Sequence, residues 1–202
     1  MNALFVVLAS VGLRVLYAEQ YHGRKIVIDR PNACKQPVNL RTVFDDFHNN
    51  FRQKVAAGMA FGDSYPFQQR LMYGLIYDCA LEKKANKEVR NPGSVKDLAV
   101  VSFTRDYDFG LPKAVKEGFE EAIQDTRVLK QIIYPKATRF ACARNVTRGN
   151  GGKNRVGVAC VYDKKADSNA FDSKGPCLED KDCTFFGGKC QWFLCYVPLK
   201  KA

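Results

Sequence analysis

Apolar residues recur every three or four positions in the first half of the chain, the spacing of one face of an α-helix. The first such series runs from residue 40 to residue 55, with polar residues between the apolar ones. Asn39 precedes it and Gly58 follows it, so the pattern predicts an amphipathic helix capped by Asn39 and ended by Gly58. The apolar positions are Leu40, Phe44, Phe47, Phe51 and Val55.

Two further helices are predicted downstream. A second apolar series, from residue 71 to residue 80, predicts a helix that stops before the Asn-Pro-Gly sequence at residues 91–93. Pro112 suits the first turn of a third helix, whose apolar face would turn inward and whose acidic face would turn outward. For residues 94–103 the pattern does not decide between a short helix and a strand.

The clearest strand signal is a hairpin in the second half of the chain. Two runs of apolar and β-forming residues, 137–146 and 155–162, flank a polar segment that contains three glycines. This predicts antiparallel strands joined by a glycine-containing loop. With the turn centred on Gly151, Cys142 and Cys160 lie directly opposite each other, close enough for a disulfide.

Helices that precede a hairpin, without strict alternation of strand and helix, predict an α+β domain layered on a mostly antiparallel sheet. Residues 166–174 are polar and predict a linker. Behind it stand four cysteines within 19 residues and few apolar side chains. We expect disulfides to hold this small module together. The predicted division is a main domain over residues 19–165 and a cysteine-rich tail over residues 166–202.

The N-terminus has the pattern of an export signal. An apolar run from Ala3 to Leu16 ends in Leu-Tyr-Ala before Glu19, which predicts a signal peptide over residues 1–18. The run is shorter than the roughly 20 residues of a spanning helix, and no later segment is apolar enough, so we expect a chain that does not span a membrane. All eight cysteines follow the signal and suit an oxidising compartment. We predict a secreted, extracellular protein.

The eight cysteines can be paired in part from the sequence. The hairpin accounts for one pair, and if the four tail cysteines pair among themselves, the two remaining cysteines bond each other. Three pairings are open within the tail, and we favour the interlaced one. The resulting pairs are Cys34–Cys79, Cys142–Cys160, Cys177–Cys190 and Cys183–Cys195.

Four fragments stand in an informative order. Residues 48–58 (HNNFRQKVAAG) lie in the first predicted helix and residues 72–85 (MYGLIYDCALEKKA) in the second. Residues 131–143 (QIIYPKATRFACA) and 158–162 (VACVY) belong to the hairpin. Together with the cysteine tail, their order and spacing resemble the CAP superfamily, the cysteine-rich secretory, antigen 5 and pathogenesis-related proteins. Within that superfamily the chain is most similar to the activation-associated or Ancylostoma-secreted proteins of hookworms.

The resemblance implies a fold and a kind of partner. The fold would be a three-layer α-β-α sandwich followed by a hinge-like module. The hookworm group includes proteins regarded as inhibitors of platelets and neutrophils that act on integrins. The resemblance therefore implies a host cell-surface receptor as the partner.

The chain departs from the family pattern at the residues that bind a metal. Members with an intact cleft use two histidines and two glutamates that can hold a divalent metal, and the second histidine stands six residues before the aromatic that Tyr134 matches. This chain has Val128 there, while His22 and His48 stand elsewhere. We therefore expect no metal, no cofactor and no enzyme activity. For His48 we expect a structural role in the first helix, because no nucleophile partner for a general base is identified.

The net charge of +11 is concentrated in one stretch. Residues 126–165 contain ten lysines and arginines against one acid, Asp163. Such an excess attracts sulfated glycans, anionic membranes or acidic receptor faces, and the alternative is a solvated surface that keeps a secreted protein soluble. Nucleic acid is not expected, since no binding motif is present.

Other candidate contact residues lie in the tail and in the hairpin. Trp192 and Phe193 are possible interface anchors, and the alternative is burial against the disulfides or the main domain. Asn145-Val146-Thr147 predicts N-glycosylation at Asn145. The candidate partner-binding residues are Arg139, Arg144, Arg148, Lys153, Arg155, Trp192 and Phe193.

These features predict a secreted, non-enzymatic effector that binds host adhesion receptors, with platelet or leukocyte integrins as the targets that the family implies. The alternatives are a lipid or sterol carrier, a glycosaminoglycan-binding protein and a hydrolase with an unidentified site. Two short sequences come near an Arg-Gly-Asp integrin motif: Phe-Gly-Asp at residues 61–63 and Arg-Gly-Asn at residues 148–150. Deamidation of Asn150 would complete the second.

Overall fold

A computed structural model describes residues 18–21, 24–29, 31–60, 67–167 and 175–200. The predicted signal peptide, except Ala18, and most of the predicted linker lie outside the described residues, so both stay predictions. No helix among the described residues is both long and apolar enough to cross a membrane. In chain order the strands and helices are β1 Ala18–Tyr21, β2 Arg24–Asp29, α1 Val38–Ala56, β3 Ile76–Asp78, α2 Cys79–Arg90, β4 Ala99–Tyr107, α3 Leu111–Ala122, α4 Thr126–Ile132, β5 Arg139–Arg148, β6 Asn154–Tyr162, β7 Lys189–Gln191 and β8 Leu194–Tyr196.

A six-stranded sheet forms the middle layer, with the strand order β1-β2-β3-β5-β6-β4. The β3 strand pairs in parallel with both of its neighbours, β2 and β5, while the other pairs are antiparallel. The sheet is therefore mixed, and its antiparallel part is the β5-β6-β4 meander. The undecided segment 94–103 contributes the start of β4, which runs on to Tyr107.

Helices cover both faces of this sheet. On one face, His48 of α1 packs on Phe140 and Tyr162, and Phe119 of α3 packs on Phe103 of β4. Side chains alternate between faces along a strand, so Gly157 of β6 points to the other face. There its Cα lies under α2, since a Cβ on Gly157 would stand 3.6 Å from Val89. The predicted α-β-α arrangement is confirmed.

The hairpin has the predicted register. Cys142 pairs with Cys160 and Arg148 with Asn154, which centres the turn on Gly151. Gly151 has a φ of 63°, in the left-handed region that glycine adopts readily. The turn chemistry in the sequence therefore sets which residues of β5 and β6 face each other.

Two predicted boundaries are wrong. The second apolar series is not the start of a helix: it runs as an extended segment into β3, and α2 begins only at Cys79, where Asp78 accepts a hydrogen bond from Ala80 N–H. Leu71, Tyr73 and Tyr77 are all buried, because this segment is covered on every side and not on one helical face. The first helix also begins earlier than predicted, at Val38, with Pro37 and not Asn39 at its N-cap.

Four disulfides brace the structure, in the pairs that were favoured from the sequence: Cys34–Cys79, Cys142–Cys160, Cys177–Cys190 and Cys183–Cys195. One of them ties the segment before α1 to the first residue of α2. Another staples the hairpin. The last two hold the short β7–β8 hairpin in the tail.

The tail packs tightly on the main domain. Backbone hydrogen bonds join Gly74 N–H to the Cys195 carbonyl and Cys195 N–H to the Met72 carbonyl. Leu194 and Tyr196 are buried in the core of the main domain. The buried Tyr73 hydroxyl accepts a hydrogen bond from Phe186 N–H in the tail. The β7–β8 hairpin is therefore held at a defined place on the main domain.

Candidate functional site

His48 lies at the centre of the α1 face of the sheet and is fully buried. Its Nδ1 is 2.7 Å from the Phe44 carbonyl, one turn earlier in α1, and its Nε2 is 2.7 Å from the Tyr162 hydroxyl. The carbonyl can only accept, so Nδ1 donates to it and Nε2 accepts from the hydroxyl. Both ring nitrogens are thus occupied, since Nδ1 fixes the ring within α1 and Nε2 joins α1 to β6, which is a bracing role.

Burial also fixes the charge of this histidine. It lowers the pKa of His48 to about 3, with the Phe44 carbonyl raising it and Arg52 lowering it further. The imidazole is therefore neutral at physiological pH. Burial likewise raises the pKa of the Tyr162 hydroxyl well above its usual range. Neither group is placed to exchange protons with a substrate near neutral pH.

Arg52, one turn after His48, is fully buried, and its hydrogen bonds go to backbone carbonyls. Its guanidinium donates to the carbonyls of Tyr73, Ile132, Tyr134 and Ala137. Burial lowers the pKa of Arg52 to about 10, so it still carries its charge near neutral pH. This side chain joins α1 to the segment before β3 and to the loop before β5.

The described residues do not fit the two-histidine metal centre of the family. Val128 stands in α4 at the aligned position, and the two nitrogens of His48 are already occupied. Clusters of possible metal ligands among these residues are His48 with Cys142 and Cys160, and Cys177 with Cys183 and Cys195. Every cysteine in them is disulfide-bonded and has no thiolate to offer. His22 lies outside the described residues.

The paired acids of α3 form ordinary surface ion pairs. Glu121 and Glu117 both accept hydrogen bonds from Arg105 of β4, and Glu120 is 3.8 Å from Lys116. Glu120 and Glu121 are adjacent in the helix, so their side chains point in different directions and contact different residues. These acids therefore belong to a solvated helix surface and do not form a general acid–base pair.

The basic stretch does not form one surface. Five of its ten cations form ion pairs, four of these with acids from outside the stretch. Arg139 and Arg148 stand at opposite ends of β5, which puts them about 30 Å apart. The positive charge that is concentrated in this stretch of the sequence is therefore divided between two ends of the molecule. This division does not support a single basic contact face. The ion pairs are Arg127–Asp125, Arg139–Asp29, Lys153–Asp108, Arg155–Asp106 and Lys164–Asp163.

Two candidate contact residues are placed inside the structure. Arg139 pairs with the buried Asp29 and donates to the Pro198 carbonyl, and its side chain is only 11% exposed. Arg139 links β5 to β2 and to the end of the tail, so the prediction that it contacts a partner at the surface is wrong. Arg144 is half-buried within β5, and its Nε is buried without a hydrogen-bond partner.

Three candidates do cluster at the tip of the β5–β6 hairpin. Arg148 is exposed there, Arg155 pairs with Asp106 near the end of β4, and Lys153 pairs with Asp108 in the loop after β4. The same loop carries Phe109, which is 92% exposed and is the most exposed large apolar residue described. Phe109 was not among the contact residues predicted from the sequence. An aromatic residue between Asp108 and Gly110, in a segment that favours a turn, was nevertheless a usable signal of an exposed side chain. We call this group the hairpin-tip surface.

Trp192 and Phe193 occupy the other end of the molecule. They form the two-residue turn between β7 and β8, and their side chains are 57% and 43% exposed. Tyr196 of β8 is buried against the core, but Trp192 and Phe193 are not. They stay candidates for partner contact.

Asn145 is half-buried on β5, opposite Gly157, and Thr147 of its sequon is exposed. Glycosylation at this position stays a prediction. A mass shift on treatment with an N-glycosidase would test it.

A groove of about 540 Å³ lies between α1 and α3. Its apolar wall includes Val43, Phe47 and Phe51, and lysines from both helices stand along it. The size is in the range of small-ligand sites, which commonly combine an apolar lining with a few polar groups.

No family model matches the chain, and no curated protein sequence matches it, but solved structures do. A structure of Ac-ASP-7 described as manganese-bound gives a TM-score of 0.75 at 39% identity, covering 85% of this chain and 96% of that one. Another, described as Ancylostoma-secreted protein Ac-ASP-7, gives 0.74 at 41% identity, covering 85% and 97%. The chain belongs to the CAP superfamily, in the group of the Ancylostoma-secreted proteins. Na-ASP-1 shares the fold, with a TM-score of 0.70 at 20% identity over 84% of this chain and 49% of that one.

Membership of this group confirms the resemblance seen in the sequence and agrees with the observed layers. It also sharpens one contrast. Ac-ASP-7 has been solved with manganese, whereas the described residues of this CAP protein do not supply two histidines to one site. The two most exposed aromatic side chains among the described residues, Phe109 and Trp192, stand at the hairpin tip and at the β7–β8 turn.

Proposed function

We propose that this CAP protein is a secreted, non-enzymatic parasite effector that binds host cell-surface adhesion receptors and inhibits platelet or leukocyte adhesion. Integrins are the receptor class that the resemblance to hookworm inhibitors implies. The membership in the Ancylostoma-secreted group supports the origin and the secretion. The four disulfides suit an extracellular site of action.

The observation that carries this proposal is how the reactive side chains are used. His48 and Arg52, the polar residues at the centre of the fold, are fully buried and joined to backbone or to Tyr162. Large aromatic side chains are exposed instead, at the ends of a rigid, disulfide-braced molecule. Exposed aromatics on a rigid support are typical anchors of protein recognition.

Direct binding tests the proposal. Full-length protein with all four disulfides formed is titrated onto purified platelet and leukocyte integrin ectodomains, and the adhesion of washed platelets is measured in parallel. We expect saturable binding to at least one integrin and inhibition of adhesion over the same concentration range. Correctly oxidised protein that does neither at micromolar concentration would show that the proposal is wrong.

The groove between α1 and α3 favours a second candidate function, the carriage of a lipid or sterol. Its apolar wall would accept a hydrocarbon chain, and the polar groups along it are Lys54, Lys113 and Lys116 together with Asp46 and Glu120. Native mass spectrometry of the secreted protein and displacement of a fluorescent fatty acid would test this function. Binding of sulfated glycans has weaker support, because the basic residues are divided between two ends of the molecule.

A further inference from the structure

The turn between β7 and β8 has an unusual backbone for its residues. Trp192 has a φ of 51° and Phe193 a φ of 65°, and they are the only residues other than glycine with positive φ in the described part of the chain. Two-residue turns of this kind favour asparagine and glycine, because a side chain with a Cβ is crowded in the left-handed region. Two bulky aromatic residues at both positions are therefore strained.

The surrounding structure holds the strain in place. Cys190 and Cys195, on either side of the turn, pair with each other across the two strands and are disulfide-bonded to Cys177 and Cys183. The β8 strand is further fixed to the main domain through its backbone and through its buried side chains. The turn cannot relax by moving the hairpin, so both aromatic side chains stay projected into solvent. A strained and exposed position that the fold enforces points to a function.

The charges of the tail indicate the kind of partner. Residues 175–200 contain three lysines and three acids, and two of these lysines form ion pairs within the tail. The tail therefore has no charge excess of its own, and the cations of the main domain that reach it include Lys136 and Lys164, which lie over the rings of Phe185 and Phe186. Leu178 is 77% exposed and lies next to Cys177, so it adds apolar surface near the Cys177–Cys190 disulfide. Recognition here would depend on burial of apolar side chains.

We infer that the Trp192–Phe193 turn is the anchor with which this protein enters an uncharged, apolar pocket on a folded protein partner. The inference rests on the proposed function, since it places the receptor contact at this turn and not at the hairpin-tip surface. Because the turn is already held in one conformation, little conformational entropy is lost when it binds. Tryptophan is also the residue most enriched among the dominant contacts of protein interfaces.

Trp192 is the only tryptophan of the chain, so 7-azatryptophan incorporated there and excited beyond the absorption of ordinary tryptophan reports on this turn alone, even beside the tryptophans of an ectodomain. The protein is titrated with the integrin ectodomain that binds it, and separately with vesicles of phosphatidylcholine and phosphatidylserine. We expect a blue shift and protection from acrylamide quenching with the ectodomain and no change with vesicles. A blue shift with vesicles would overturn the inference in favour of membrane insertion, and an unchanged spectrum with bound ectodomain would overturn it as well.

A double variant separates this contact from folding. Replacing the turn by W192N and F193G supplies the residues that the backbone favours, so the midpoint of thermal unfolding should rise while affinity for the ectodomain falls at least tenfold. The matched control is Met59→Ser, which removes another exposed large apolar side chain that belongs to neither the turn nor the hairpin-tip surface and should bind as the wild type does. Equal binding by the double variant would overturn this inference alone, whereas no binding by the wild type would overturn the proposed function and this inference together.

Discussion

Arg52 shows how a single side chain can hold several segments of this fold together. It lies on α1 and donates to four carbonyls, one in the segment before β3, one at the end of α4 and two in the loop before β5. The periodicity of α1 predicted the helix, but it placed Arg52 among the polar positions. Its burial depends on segments that are distant in sequence and meet only in the folded chain, so no local pattern could show it.

The substitution Arg52→Lys should therefore be strongly destabilising. A lysine ammonium has one nitrogen and cannot reach the same carbonyls, which leaves buried acceptors and a buried charge unsatisfied. We expect a loss of about 3 kcal/mol or more in the free energy of unfolding, measured by denaturant titration. The exposed Arg148→Lys is the matched control and should change it by less than about 0.5 kcal/mol. Similar losses in both variants would contradict the clamp.

His48 should make the protein less stable in mild acid. Its pKa is about 3 in the folded protein and 6.5 ordinarily, so between these values the unfolded chain binds the proton and the folded protein does not. Stability is therefore lost as pH falls below 6.5, by about 1.4 kcal/mol per pH unit.

Comparison with His48→Gln isolates this effect from the titration of carboxylates. From pH 7 to pH 5 the wild type should lose about 2 kcal/mol more than the variant does. The measurement is the free energy of unfolding across this pH range at constant ionic strength. Parallel profiles would mean that His48 titrates normally in the folded protein.

At the scale of elements, the docking of the tail depends on Gly74. A Cβ at this position would lie 2.2 Å from the ring of Tyr196. Tyr196 is buried and belongs to β8, so its ring cannot move away without undocking the strand. The approach of the tail to the main domain is therefore possible only with glycine at residue 74.

Gly74→Ala should thus destabilise the protein by about 1–3 kcal/mol and open the tail to proteases. Gly175→Ala is the matched control, since the nearest atom to its Cβ would be 3.8 Å away. Urea unfolding and limited proteolysis of both variants measure the difference. An intact, protease-resistant tail in Gly74→Ala would contradict this packing.

The elements also show where sequence patterns succeed and where they fail. The β5–β6 hairpin was predictable with its register, because turn residues and strand residues agree over a short range. The segment before α2 was not, because apolar residues from Leu71 to Tyr77 suit a helix as well as a buried strand between β2 and β5. Only the neighbouring strands decide between them.

For the whole molecule, the order of cysteines and motifs was enough to predict the family and the layered fold. The contact surface was harder, because neighbours in sequence are not neighbours in space. Arg139 and Arg148 belong to one basic stretch, yet they lie at the two ends of β5. Phe109 joined the hairpin-tip surface only through the pairing of β4 with β6.

Whether the protein binds a metal ion can be tested on the whole folded molecule. A ligand that binds the folded state raises its thermal midpoint, so a CAP-type metal site would be visible as stabilisation. We expect manganese or zinc at millimolar concentration to leave the unfolding midpoint of the chelator-treated protein unchanged. Introducing histidine by Val128→His tests whether this one position limits binding. A saturable rise in the wild type would show that other residues hold the ion.

This CAP protein is proposed to act by recognition at its outer surface. The most direct measurement is saturable binding of labelled, fully oxidised protein to washed human platelets and neutrophils, before and after the cells are treated with protease. We expect saturable binding that protease treatment removes and that an excess of unlabelled protein competes away. Binding that is absent, or that survives the loss of surface proteins, would contradict it.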